Sequence, residues 1–176
     1  MSVDWKKEIS ILVYIKQIMS DLDNDHLWQY HLPEVAASEI DIITLEKHLG
    51  FKLDSQYAGF LRHANGWRCF YQSVDLFGTR ELLNSEIYKQ AKLMLDAIDE
   101  NAMKVSELQK DDLLPIGATT LDMDMFFLGK PSSKHSGEIF WFTGQEIDRY
   151  PDFDEFYFAM VDYNRAEVED LKNELK

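Results

Sequence analysis

The chain has 176 residues, of which 18 are Lys or Arg and 32 are Asp or Glu, for a formal net charge of -14. That balance opposes polyanionic partners, so it argues against nucleic acid and anionic membrane surfaces and favours encounter with basic proteins. Hydrophobic residues at 45% and aromatics at 13% are enough for one ring-rich core, and the lone Cys69 excludes an internal disulfide or a cysteine-rich metal site.

Residues 5–22 read as an amphipathic helix, with Ile9, Leu12, Ile15, Met19 and Leu22 at spacings of three and four. A polar cluster over 21–25 ends it, and 26–35, containing Trp28, Tyr30 and Pro33, reads as a connector. Ser38 with Asp41 three residues on forms a capping-box pattern for a helix that carries Ile42, Leu45 and Leu49 and stops at Gly50. Asp54 caps the next helix, where Tyr57, Phe60, Leu61 and Ala64 share a face, and Asn65-Gly66 is expected to close it in a left-handed conformation.

The period then changes. Residues 67–71 and 73–77 read as short strands, Gly78-Thr79 breaks the pattern, and 84–105 reads as one helix with Ile87, Ala91, Met94, Leu95 and Ile98 on its stripe. Residues 113–117 form a short strand whose Pro115 suggests a sheet edge or a strand start. Strands over 123–128 and 138–143 follow, joined by a longer loop. Asp152 and Glu155 open a final helix with Phe153, Phe156, Met160 and Val161 inward. It continues into a charged tail on a weaker stripe of Val168, Leu171 and Leu175. No helix regularly separates successive strands, which predicts a single-domain α+β fold: an antiparallel or mixed twisted sheet with helices packed on it. No apolar stretch approaches about 20 residues, and the first ten residues lack the apolar segment of an export signal, so a cytoplasmic protein is expected.

Reaction chemistry finds little support. His26, His31, His48, His63 and His135 form no HExxH and no close pair one helical turn apart. Asp122 and Asp124, two apart on an expected strand, would share a face and could hold a divalent cation. The alternation of Met123, Met125 and Phe127 instead places them on a wet face. Cys69 follows Arg68, which lowers a thiol pKa in principle, but no placed histidine accompanies it. There is no GxSxG, Walker-type loop or kinase motif. Lys130 and Lys134 make only a small basic loop.

What remains is a set of ordered blocks. Leu45-Glu46-x-x-Leu49-Gly50, then Tyr57-x-x-Phe60-Leu61-x-x-x-Asn65-Gly66-Trp67, resembles the opening signature of the SUKH superfamily, which holds bacterial toxin-immunity proteins and fungal cell-wall-assembly regulators. Asp75-Leu76-Phe77-Gly78, Leu114-Pro115-Ile116-Gly117, Gly137-Glu138-Ile139-Phe140 and Tyr150-x-x-Phe153-x-Glu155-Phe156 resemble its later blocks. The likeness spans roughly residues 38–162 of one domain covering 1–176. Asp54 stands where the family often has Pro, and Thr120-Leu121 where it has Gly.

The resemblance implies a non-enzymatic protein-binding module without a cofactor. The leading expectation is an immunity protein, monomeric or a weak homodimer, that binds a cognate toxin domain. A basic nuclease would suit the acidic surface. The alternatives are a regulatory scaffold of the fungal type and, third, a small metal-dependent enzyme using Asp122 and Asp124. Candidate partner-binding residues are Trp67, Asp75, Asp122, Asp124, Glu138 and Asp148, with Trp67 weighed against a core position.

Overall fold

The computed structural model describes residues 3–174; Leu175 lies outside them. Helix α1 (Trp5–Leu22) starts at Asp4, whose carboxylate accepts the Lys7 N–H, and buries Ile9, Leu12, Ile15 and Met19. Helix α2 (Glu39–Leu49) has the expected Ser38–Asp41 capping box and ends on Gly50 at φ +80. Helix α3 (Ser55–Leu61) is capped by Asp54, which accepts the N–H groups of Gln56 and Tyr57. It stops at Leu61, earlier than the expected Asn65-Gly66, and Gly66 at φ +95 instead makes the turn into strand β1 (Trp67–Tyr71).

Asn65-Gly66 has a further tertiary role. The Asn65 amide bonds the hydroxyl and N–H of Thr79, and a Cβ on Gly78 would sit 2.0 Å from Asn65 O. Two backbone segments therefore touch where only glycine permits the approach. Beyond this contact, strand β2 (Val74–Leu76) leads to the short helix α4 (Thr79–Leu82).

The expected helix over 84–105 is two: α5 (Glu86–Ala97) and α6 (Glu100–Val105). Ile98 leaves helical space at ψ 135, and Asp99 caps α6 by accepting the N–H groups of Asn101 and Ala102. Strands β3 (Leu113–Ala118), β4 (Asp124–Gly129), β5 (Ile139–Thr143) and β6 (Glu146–Tyr150) follow, and helix α7 (Phe153–Glu174) closes the chain.

The six strands form one open sheet in chain order, β1 to β6, every pair antiparallel. Helices cover both faces, which is why β3 and most of β4 and β5 are buried throughout rather than alternating. On one face α1, α3 and α7 pack, and Phe156 meets Phe126 with ring centres 4.9 Å apart. On the other, α5 lies against β3. Fully burying rings such as Phe126, Phe153 and Phe156 is worth about 1.5–3 kcal/mol each.

Pro115 is neither at an edge nor at a strand start. It lies within a central strand, tolerated because the register shifts between Pro115 and Gly117. The β1 edge is covered by side chains: Lys16 Nζ donates to Cys69 O at 2.7 Å, and Trp67 Nε1 donates to His31 O at 2.8 Å. The connector before α2 is thereby held along β1, and buried Asp23 fixes its start by accepting the N–H groups of Leu27 and Trp28 and the Tyr30 hydroxyl.

Candidate functional site

The predicted residues fall in four places. Trp67 is 1% exposed and its indole N–H is used internally, so it is a core side chain with no ring to offer a partner.

Asp75 lies in β2, opposite Ala118 of β3, which is opposite Met125 of β4; these three share the sheet face covered by α5. Its Oδ1 accepts the Cys69 N–H at 2.8 Å. Burial raises its pKa, against that hydrogen bond and the charges of Arg68 and His31. Asp75 faces a groove of about 360 Å³ between the connector, the β1–β2 turn and the β3–β4 loop. The Thr119 hydroxyl holds that loop: it donates to Ser73 Oγ and accepts the Leu121 N–H. Leu27 and Leu121 flank the groove, 51% and 79% exposed. Cys69, at φ +49, is half-buried in the same wall. Burial and then Asp75 push its thiol up, over the opposing charges of Lys16 and Arg68, which disfavours the reactive thiolate.

Asp122 is not on a strand. It sits in the turn before β4, where its Oδ1 accepts the Asp124 N–H, and Met123 beside it is 55% exposed rather than inward. Asp124 opens β4 on the α7 face, opposite to Asp75, and its Oδ1 accepts the Trp141 Nε1–H at 2.7 Å. Burial raises its pKa, Trp141 works against this, and Asp122 adds to it. The two aspartates do not form the shared wet face expected of them. Among the described residues no three His, Cys, Asp or Glu side chains are grouped to hold a metal ion. Asp148 pairs in register with Trp141 from the β6 side and accepts the Tyr150 hydroxyl and the Arg149 N–H.

Glu138 lies at the opposite end of β5 from Thr143. Its Oε1 is 3.0 Å from His135 Nδ1, beside Arg149, whose guanidinium bonds Glu146 and Ser106 O and lies over the Phe140 ring. Burial works to raise the Glu146 carboxyl, but hydrogen bonds from Arg149 and Ser106 outweigh it and hold it low. This ion-paired cluster locks the β4–β5 loop side of the sheet.

The structure therefore separates the candidates. Asp75 and Asp122 border one loop-built surface. Asp124 and Asp148 flank Trp141 under α7, and Glu138 is remote. The exposed Leu27, Leu121 and Met123 were missed, because an apolar residue in an irregular segment carries no periodic signal.

A helix-covered antiparallel meander whose signature residues Tyr57, Phe60, Leu61, Phe153 and Phe156 are all buried, and whose Gly50 and Gly66 are left-handed, is an α+β scaffold that presents loops at its sheet ends. The chain matches the model of the SMI1 / KNR4 family (SUKH-1) over residues 36–158, more than half its length, and it belongs to that family. No curated protein matches it. Among the described residues no helix is long and apolar enough to cross a membrane.

Proposed function

We propose that this protein is a cytoplasmic immunity protein, a cofactor-free binding module that neutralises a cognate bacterial toxin domain by direct one-to-one contact. The observation that carries this reading is the loop-built surface at one end of the sheet. There Leu27, Leu121 and Met123 are exposed beside the carboxylates of Asp75 and Asp122, in a chain of net charge -14. Apolar anchors supply affinity and the surrounding acidic field speeds the encounter with a basic partner such as a nuclease domain. The family membership supports the same reading, since its bacterial members include toxin-neutralising proteins.

The test is co-expression with the toxin domain encoded by the neighbouring gene, scored by cell survival, followed by stopped-flow association of the purified pair. Protection, a one-to-one complex and an association rate that falls with added salt are expected. A chain that gives no protection and no complex would overturn the immunity reading. Several weak partners in place of one would point to a regulatory scaffold of the fungal type.

A further inference from the structure

The groove beside Asp75 has more specific chemistry than a general acidic face. Its volume of about 360 Å³ falls at the lower end of clefts that take small ligands, roughly 300–1,000 Å³. The Asp75 carboxylate is half-buried, and one of its oxygens holds the Cys69 N–H. Among the described residues it forms no ion pair with any Lys, Arg or His. Arg68 and His31 act on it only through space, without direct contact, and a partly desolvated carboxylate with no cation in contact is a favourable arrangement for an entering one. The Ser73 and Thr119 hydroxyls add polar atoms to the wall, while Leu27 and Leu121 provide apolar lips for an aliphatic stem. Long basic side chains are built this way, with an apolar stem and a charged tip.

We propose that this groove is a receptor for a single arginine or lysine side chain of the protein partner, with Asp75 pairing its charged tip and Leu27 and Leu121 packing its stem. The proposal rests on the protein-binding reading above and names the group recognised there. Arg68 also borders the groove and makes no ion pair among the described residues. It is a like charge to the incoming group, so it limits affinity rather than providing it.

The Cys69 amide reports on the site directly, because it is bonded to Asp75. The full chain, labelled with 15N, is titrated with n-butylguanidinium, n-butylammonium and the neutral isostere n-butylurea while amide shifts are followed. Saturable shifts at Cys69 and Leu121 with the two cations, and none with the urea, are expected. Asp75→Asn keeps an oxygen acceptor for the Cys69 N–H and so preserves the fold. It should weaken cation binding about tenfold or more, and Arg68→Ala should strengthen it severalfold. Equal shifts with the urea, no saturable shift with either cation, or unchanged binding in Asp75→Asn would each overturn the receptor. The titration needs no toxin, so its failure alongside normal toxin protection removes the receptor alone. Saturable cation binding without protection removes the immunity reading alone.

Discussion

Lys16 carries a stability cost that pH can remove. The residue is 5% exposed, and among the described residues its ammonium makes one hydrogen bond, to Cys69 O. Burial pushes its pKa from 10.5 to about 8, over the opposing influence of Cys69 and Glu167. In the unfolded chain the same amine titrates near about 10.4. At pH 7 it is protonated in both states, and the folded state bears the full burial cost. As pH rises through 8 the folded amine loses its proton first, the unfolded state holds more protons, and stability increases. By pH 10 this amounts to about 2.5 kcal/mol.

Lys16→Met abolishes the titration. It also leaves Cys69 O without its donor, at about 1–3 kcal/mol, which offsets the relief of removing a buried ammonium at neutral pH. The variant is therefore expected within about 1 kcal/mol of the parent at pH 7 and about 2.5 kcal/mol further behind it at pH 10. Urea unfolding at pH 7, 8, 9 and 10 measures the difference, with Cys69→Ser in both chains so that the thiol does not titrate alongside. The raised tyrosines are common to both chains and cancel in the comparison. A difference that stays flat across this range would refute the reasoning, because Lys16 would then titrate alike in folded and unfolded chains.

Two glycines separate steric from backbone cost. Gly78→Ala places a Cβ 2.0 Å from Asn65 O and should cost about 3 kcal/mol or more. Gly50→Ala meets no atom within 4 Å but holds φ +80, so about 1–2 kcal/mol is expected. Urea unfolding of both variants should give that order, and the reverse order would refute the packing argument. Asp99→Ala removes the α6 cap and should cost about 0.5–2 kcal/mol. Its amide exchange should quicken in α6 and leave α5 unchanged.

Local chemistry was legible in the chain. Ser38 and Asp54 are written next to the N–H groups they satisfy, so the starts of α2 and α3 could be placed without tertiary knowledge. The apolar runs of β3, β4 and β5 were equally readable, because a strand buried on both faces needs no alternation. The ordered blocks around Gly50, Gly66 and Gly78 were enough to indicate the family.

Strand β6 has no counterpart among the elements expected from the sequence. Glu-Ile-Asp-Arg-Tyr carries three charges in five residues, and it is a strand because β5 offers an edge to pair with and Arg149 finds Glu146, Ser106 O and the Phe140 ring once there. The break at Ile98 is hidden for a related reason: the apolar stripe runs through it, and only the packing of α5 against β3 and the Asp99 cap set where the helix ends. The site followed the same division. The sequence supplied Asp75, Asp122 and Asp124 as carboxylates near strand ends. Pairing register put Asp75 and Asp124 on opposite faces, and the connector laid along β1 brought Leu27 to the groove that Asp75 lines. Side-chain direction along a strand alternates with every residue, so a face is fixed only when the partner strand and its register are known.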